Sequence, residues 1–172
     1  LLGDAAAIAG LALAAVILGW ALNGLRSAPL PLRYASPQER VEAAATRIRP
    51  APPDVNPANP AREIGLDAFQ AFATGRQGLV LDARPGVFYG EGHVPGALNM
   101  ARDNFEADFA RLRPALEKSR GRPVAIYCSG ADCEDSDIVA GALSKLGYRD
   151  LLIFREGWEQ WTAAGLPQEK AQ

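Results

Sequence analysis

The stretch VAIYCSGADCEDSDIVAGALSKLG, residues 124–147, decides how the whole chain is read. Its opening VAIYC is apolar and too short for a helix, so it reads as a buried strand. The segment SDIVAGALSKLG (136–147) has amphipathic helical spacing, with Ser136 placed to cap it and Gly147 to end it. Between the two lies a polar loop, so Cys128 stands at the carboxyl end of a strand with a helix about to begin. Open α/β sheets bind ligands at that end. A helix N-terminus adds unpaired N–H groups and a partial positive charge, which together favour the thiolate form of a nearby cysteine. Ser129, Gly130, Ala131, Asp132, Glu134, Asp135 and Ser136 are the candidate cradle for an anion held on that sulfur. The competing reading is an inert, buried cysteine that merely ends a strand, and the spacing alone leaves both open.

Outward from this stretch, strand and helix patterns alternate. LVLDA (79–83), ALNM (97–100) and LLIF (151–154) read as further strands, and LDAFQAFATG reads as a helix closed by Gly75. Asp103 to Lys118 reads as a helix with Phe105, Phe109, Leu112 and Leu116 on one face, and with Pro114 placed to break or bend it. WEQWTAAG supplies a last helix. Strands alternating with helices predict a parallel sheet covered on both faces.

Toward the N-terminus the character changes twice. Ala5 to Leu25, AAAIAGLALAAVILGWALNGL, carries no charge and is bounded by Asp4 and Arg26. Roughly 20 apolar residues suffice to cross ~30 Å of hydrocarbon. Trp20 lies near one end, where an amphipathic ring suits the interface. Residues 1–26 therefore read as a single-pass anchor in membrane lipid. The alternative, a cleaved signal, fits less well, because the best small-residue site, GWA ending at Ala21, falls inside the run. Gly3, Gly10, Gly19 and Gly24 leave small-residue patches at which a partner helix of a membrane complex could approach closely. Residues 27–60 read as a proline-rich linker interrupted by one short helix, with Ser36, Pro37 and Glu39 forming its capping box. Ala51 to Pro60 is expected to be extended and polyproline-like.

Residues 61–172 read as one domain, of which roughly 61–168 carry a resemblance. LDARPGVFYGEGHVPGALNM is similar to the D-x-R and G-H-[IV]-P-G-A signature of rhodanese-like domains. VAIYCSG with its following helix resembles that family's active-site loop, and FREGWEQWTAAGLP resembles its closing pattern. The resemblance implies a five-stranded parallel sheet flanked by helices, and Cys128 as the catalytic, sulfur-carrying nucleophile. It also implies structural support from an Asp82–Arg84 ion pair and an architectural turn at His93. A thiol or sulfane-sulfur compound would then be donor and acceptor.

Two departures bear on mechanism. Seven residues separate Cys128 from Ser136, a longer loop than the family's usual one, and SGADCED carries Asp132, Glu134 and Asp135 but no Lys or Arg. Nearby carboxylates raise a thiol pKa and repel anionic donors, which argues against efficient use of thiosulfate. The missing loop arginine argues against phosphatase chemistry. The second departure is Cys133, five residues after Cys128. It would serve as a resolving or redox partner, attacking a persulfide on Cys128, unless it packs inward as a small apolar residue. Two cysteines and a single histidine make a poor metal set, and no metal or cofactor is expected.

Three functions follow: a persulfide carrier on Cys128, a dithiol–disulfide module, or a non-catalytic accessory subunit of a membrane complex. A net charge of −2 leaves no basic field for nucleic acid. Arg26 and Arg33 after the anchor favour a cytoplasmic domain, whereas paired loop cysteines suit an oxidising periplasm; the periplasmic side is the expectation taken.

Overall fold

The computed structural model describes residues 2–27, 29–30, 33–48 and 61–171, with side chains from residue 7 onward. The polyproline-like segment expected at 51–60 lies outside them. The chain divides into two compact units, Leu1–Tyr34 and Ala35–Gln172.

The first unit is built on α1 (Leu2–Gly24). Its 18 residues Ala7–Gly24 form the one helix, among the described residues, that is long and apolar enough to cross a membrane. Ile8, Leu11, Val16, Ile17 and Trp20 are all exposed along it. Asn23 closes the following turn: its side chain donates to the Leu30 carbonyl at 2.8 Å and accepts from the Leu30 N–H at 2.7 Å.

The second unit opens with α2 (Pro37–Ile48). Its capping box forms as the sequence predicts. The Glu39 N–H donates to Ser36 Oγ at 3.1 Å, and the Ser36 N–H donates to the Glu39 carboxylate at 2.8 Å. Five strands follow, β1 (Arg62–Glu63), β2 (Leu79–Asp82), β3 (Leu98–Asn99), β4 (Val124–Tyr127) and β5 (Leu151–Phe154), interleaved with α3 (Leu66–Thr74), α4 (Gly86–Glu91), α5 (Phe105–Lys118), α6 (Asp135–Lys145) and α7 (Gly157–Ala163). The strands are all parallel, in the order β1-β5-β4-β2-β3, with Asp82 paired to Tyr127 and Tyr127 to Phe154 at the carboxyl ends. Strand β1 and helix α4 have no counterpart in the sequence reading. A two-residue strand carries too little periodicity to recognise, and GVFYGE buries no residue.

Alternation along each strand sends side chains to two cores. Leu81, Val124, Ile126, Cys128 and Ile153 join the core beneath α5 and α6. Val80, Ala125, Tyr127, Leu152 and Phe154 join the other, where Phe69 stacks on Phe154 and meets Trp161 edge-on.

Three expectations are corrected. Pro114 neither breaks nor ends α5. Each buried large apolar side chain contributes about 1.5–3 kcal/mol, so Phe105, Phe109, Leu112 and Leu116 together outweigh a proline penalty of about 3 kcal/mol. Ser136 does not cap α6; the cap position is Glu134, without a side-chain cap, and Ser136 sits buried in the first turn. At the other end, Gly147 (φ 92°) ends α6 with a 6→1 bond from the Tyr148 N–H to the Leu143 carbonyl.

The third correction concerns α2. Rather than lying in a linker, it buries Val41, Ala44 and Ala45 against the α5–α6 core, with Lys145 reaching Glu42 at 3.0 Å. Burying one valine and two alanines stabilises by about 2 kcal/mol. A chain starting at residue 35 is therefore expected to melt about 8 °C above one starting at residue 61. Equal midpoints by calorimetry would show α2 to be a passenger.

Candidate active site

Cys128 follows the last residue of β4 and is wholly buried. Its backbone is clamped by the start of α7, since the Trp158 N–H donates to the Cys128 carbonyl at 2.8 Å and the Glu159 N–H to the Ser129 carbonyl at 2.9 Å. Gly157 adopts φ 60° at this crossing. Gly130 also lies under α7, with the Glu159 carboxylate where a side chain would be. The loop then turns back on itself through a bond from the Cys133 N–H to the Gly130 carbonyl at 3.0 Å.

That turn reverses the arrangement the sequence suggests. Backbone oxygens, not N–H groups, dominate the near side of Cys128. Its thiol donates to the Cys133 carbonyl at 3.1 Å, and the Gly130 carbonyl stands 3.9 Å away. Ser136 answers from α6, its hydroxyl donating to Cys128 Sγ at 3.7 Å and its N–H pointing at the same sulfur. Cys133 is half-buried, packs partly against the α5–α6 core, and lies against Cys128 through its carbonyl.

The two thiols are consequently unlike. The neighbouring Cys133 thiol and then burial push the Cys128 thiol up from its ordinary range, against the two Ser136 contacts. Cys133 is held below its range, first by the neighbouring Cys128 thiol, and then, against burial, by the N–H groups of Asp135 and Ser129. Both cysteines are free thiols.

The acidic loop is not uniform either. Asp132 and Glu134 are exposed, as is Ala131. Asp135 is buried, and burial raises its pKa while Arg102 pulls it back. Arg102 Nη1 meets the Asp135 carboxylate at 2.8 Å. Arg102, in the single 3-10 turn (Arg102–Asn104) after β3, thus supplies the basic group that the loop itself lacks. Spacing could not reveal it, because it lies far from the loop in sequence. The topological signal was its place just beyond the carboxyl end of a strand.

Beneath the site lies a buried polar cluster. Asp82 accepts Arg84 Nη2 at 2.6 Å, Arg84 Nε at 3.0 Å and the Tyr127 hydroxyl at 2.7 Å. Arg84 also donates to the Gly92 carbonyl at 2.6 Å and stacks over Trp158 at 4.6 Å. Tyr127, whose pKa is raised by burial and then by the Asp82 charge, accepts the Val94 N–H at 3.0 Å. The sequence reading passed over Tyr127 as one more apolar strand residue. His93 sits apart: its Nδ1 lies 2.9 Å from the Tyr89 carbonyl, its ring stacks on Tyr89, and its backbone pairs with Glu169. None of its described contacts reaches the cysteine loop.

The model of the rhodanese-like domain family matches residues 67–164, more than half of the chain. The chain belongs to the rhodanese-like domain family. The uncharacterized protein YibN of Escherichia coli is 29% identical over 90 residues, covering 52% of this chain and 59% of YibN. Among solved structures, the BH2092 protein of Bacillus halodurans superposes with a TM-score of 0.54 at 25% identity, covering 64% of this chain and 77% of that one. The rhodanese-like domain of the Anabaena Alr3790 protein gives 0.52 at 23% identity, covering 63% and 79%, a likeness of fold alone. In this rhodanese-like chain, α2 lies outside the family match yet inside the folded unit.

Proposed function

We propose that the protein is a membrane-tethered sulfur carrier of the sulfurtransferase type, holding sulfane sulfur as a persulfide on Cys128 with Cys133 as its partner thiol. The observation that carries this reading is the cysteine pair: the free thiol at the end of β4 donates to the carbonyl of a second free cysteine in the same loop at 3.1 Å. A lone sulfurtransferase cysteine needs no such neighbour. Helix α1 is the tether, a single pass through lipid that can also seat the chain in a membrane complex. The two thiols suit a domain on the periplasmic side.

The test is intact mass of the full chain in detergent after exposure to a polysulfide, with and without reductant. A gain of one sulfur, removed by reductant and placed on the Cys128 peptide by mapping of the wild-type protein, is expected. Sulfur gained by the wild-type protein with none on the Cys128 peptide would defeat the assignment to Cys128.

The contact between the thiols also favours a second reading, a dithiol–disulfide module. Cys133 thiolate attacking the inner sulfur of a Cys128 persulfide yields the Cys128–Cys133 disulfide and releases HS⁻. Loss of two hydrogens without sulfur gain, dependent on both cysteines and on a disulfide oxidant, would replace the carrier by this module. Neither change would leave a non-catalytic subunit of a membrane complex.

A further inference from the structure

We infer that Cys133, not Cys128, is the thiol that meets the sulfur donor, and that the loop around it selects donors without negative charge. This rests on the sulfur-carrier reading and assigns the order of events within it.

Access is the first ground. Cys128 has no exposed surface, and its sulfur is closed in by the Cys133 carbonyl at 3.1 Å, the Gly130 carbonyl at 3.9 Å and Ser136 Oγ at 3.7 Å. A donor sulfur cannot approach it without displacing the loop. Cys133, in the same loop, packs partly against the core but keeps some surface open to solvent. The second ground is which sulfur is prepared as a nucleophile. The thiolate is the reactive form. The Cys128 proton is held on the Cys133 carbonyl at 3.1 Å, and the Cys133 thiol is held below its ordinary range. The third ground is charge. Asp132 and Glu134 flank Cys133 and are exposed, and neither forms an ion pair among the described contacts. The one carboxylate that is neutralised, Asp135, is the buried one. An anionic donor therefore meets two uncompensated charges on the way in.

The chemistry balances without an outside oxidant or reductant. For a persulfide donor R–S–SH, the Cys133 thiolate attacks the outer sulfur. The donor S–S bond breaks, R–S⁻ leaves and takes a proton from solvent, and Cys133 becomes a persulfide. Cys128 then attacks that outer sulfur, and its thiol proton passes to the departing Cys133 sulfur. The net change is R–S–SH plus Cys128–SH giving R–SH plus Cys128–S–SH.

Peptide-resolved alkylation of the full chain in detergent tests the order directly. With limiting iodoacetamide, Cys133 is expected to be labelled more than about tenfold faster than Cys128, given the difference in exposure and thiolate character. Iodoacetate, its anionic counterpart, should lag iodoacetamide at Cys133 by a larger ratio than at free cysteine, and added salt should narrow that gap. In parallel, Cys133→Ser should slow persulfide loading of Cys128 by about tenfold or more, while Cys128→Ser should trap the sulfur on Cys133. Faster labelling of Cys128, or wild-type loading in Cys133→Ser, overturns the order. Equal handling of the two reagents overturns the charge selection. If wild-type protein gains no sulfur at all while Cys133 still labels first, the carrier reading falls and takes this assignment with it; a reversed labelling order with normal sulfur gain overturns this assignment alone.

Discussion

Asp82→Ala is expected to lower folding stability by about 3–5 kcal/mol, the cost of leaving a buried charge without its partner. Asp82 is wholly buried at the end of β2, and its carboxylate receives the Arg84 guanidinium through both oxygens, the Arg84 N–H at 3.0 Å and the Tyr127 hydroxyl. Removing it strands a guanidinium that is itself buried, with the Gly92 carbonyl and the ring faces of Trp158 and Tyr127 left to it. The Tyr127 hydroxyl keeps its bond from the Val94 N–H but loses its acceptor. Tyr127→Phe should cost less, about 1–2 kcal/mol, because it removes two hydrogen bonds, to Asp82 and from the Val94 N–H, but leaves no buried charge unpaired. Denaturant titration with an unchanged slope measures both. A loss below about 1 kcal/mol for Asp82→Ala would mean that the ion pair braces nothing. The effect should also reach the site, because Trp158 links Arg84 to the Cys128 carbonyl.

Gly157→Ala is expected to cost more than the same change at Gly165, although both glycines have positive φ, 60° and 66°. The left-handed conformation alone costs an L-residue about 1–2 kcal/mol. At Gly165 nothing else stands in the way. At Gly157 an added Cβ would collide with the Cys128 carbonyl oxygen and press within 3.0 Å of the Gly130 N–H nitrogen. Both are backbone atoms of the cysteine loop, so relief must come from moving β4 away from α7. We expect a total loss of about 3 kcal/mol together with a changed alkylation rate at Cys133. Thermal unfolding of the two variants side by side decides the matter; equal midpoints would remove the close approach of α7 as a determinant of the loop.

Such effects explain why the fold and the site were unequally legible. The strands at 79–83, 124–128 and 151–154 declare themselves because apolar, β-branched runs of that length have few other uses. The helix at 37–48 was recognised by its capping box but given the wrong surroundings, because flanking prolines suggested a linker. Capping is a local interaction within one turn, whereas the packing of Val41, Ala44 and Ala45 on α5 and α6 depends on residues far away in sequence.

For the site, sequence alone determined that Cys128 ends a central strand, that Cys133 shares its loop, and that this loop is long and acidic. Pattern and order along the chain suffice for such statements. Only the tertiary structure decided which atoms face which sulfur. The carbonyls of Gly130 and Cys133 face the Cys128 sulfur where the loop turns back from Cys133 to Gly130. It likewise brought Arg102 to Asp135 and Trp158 to the Cys128 carbonyl, since those contacts join the ends of three different strands. A one-dimensional pattern records which residues are near in sequence, and the chemistry of this loop is set by groups brought near in space.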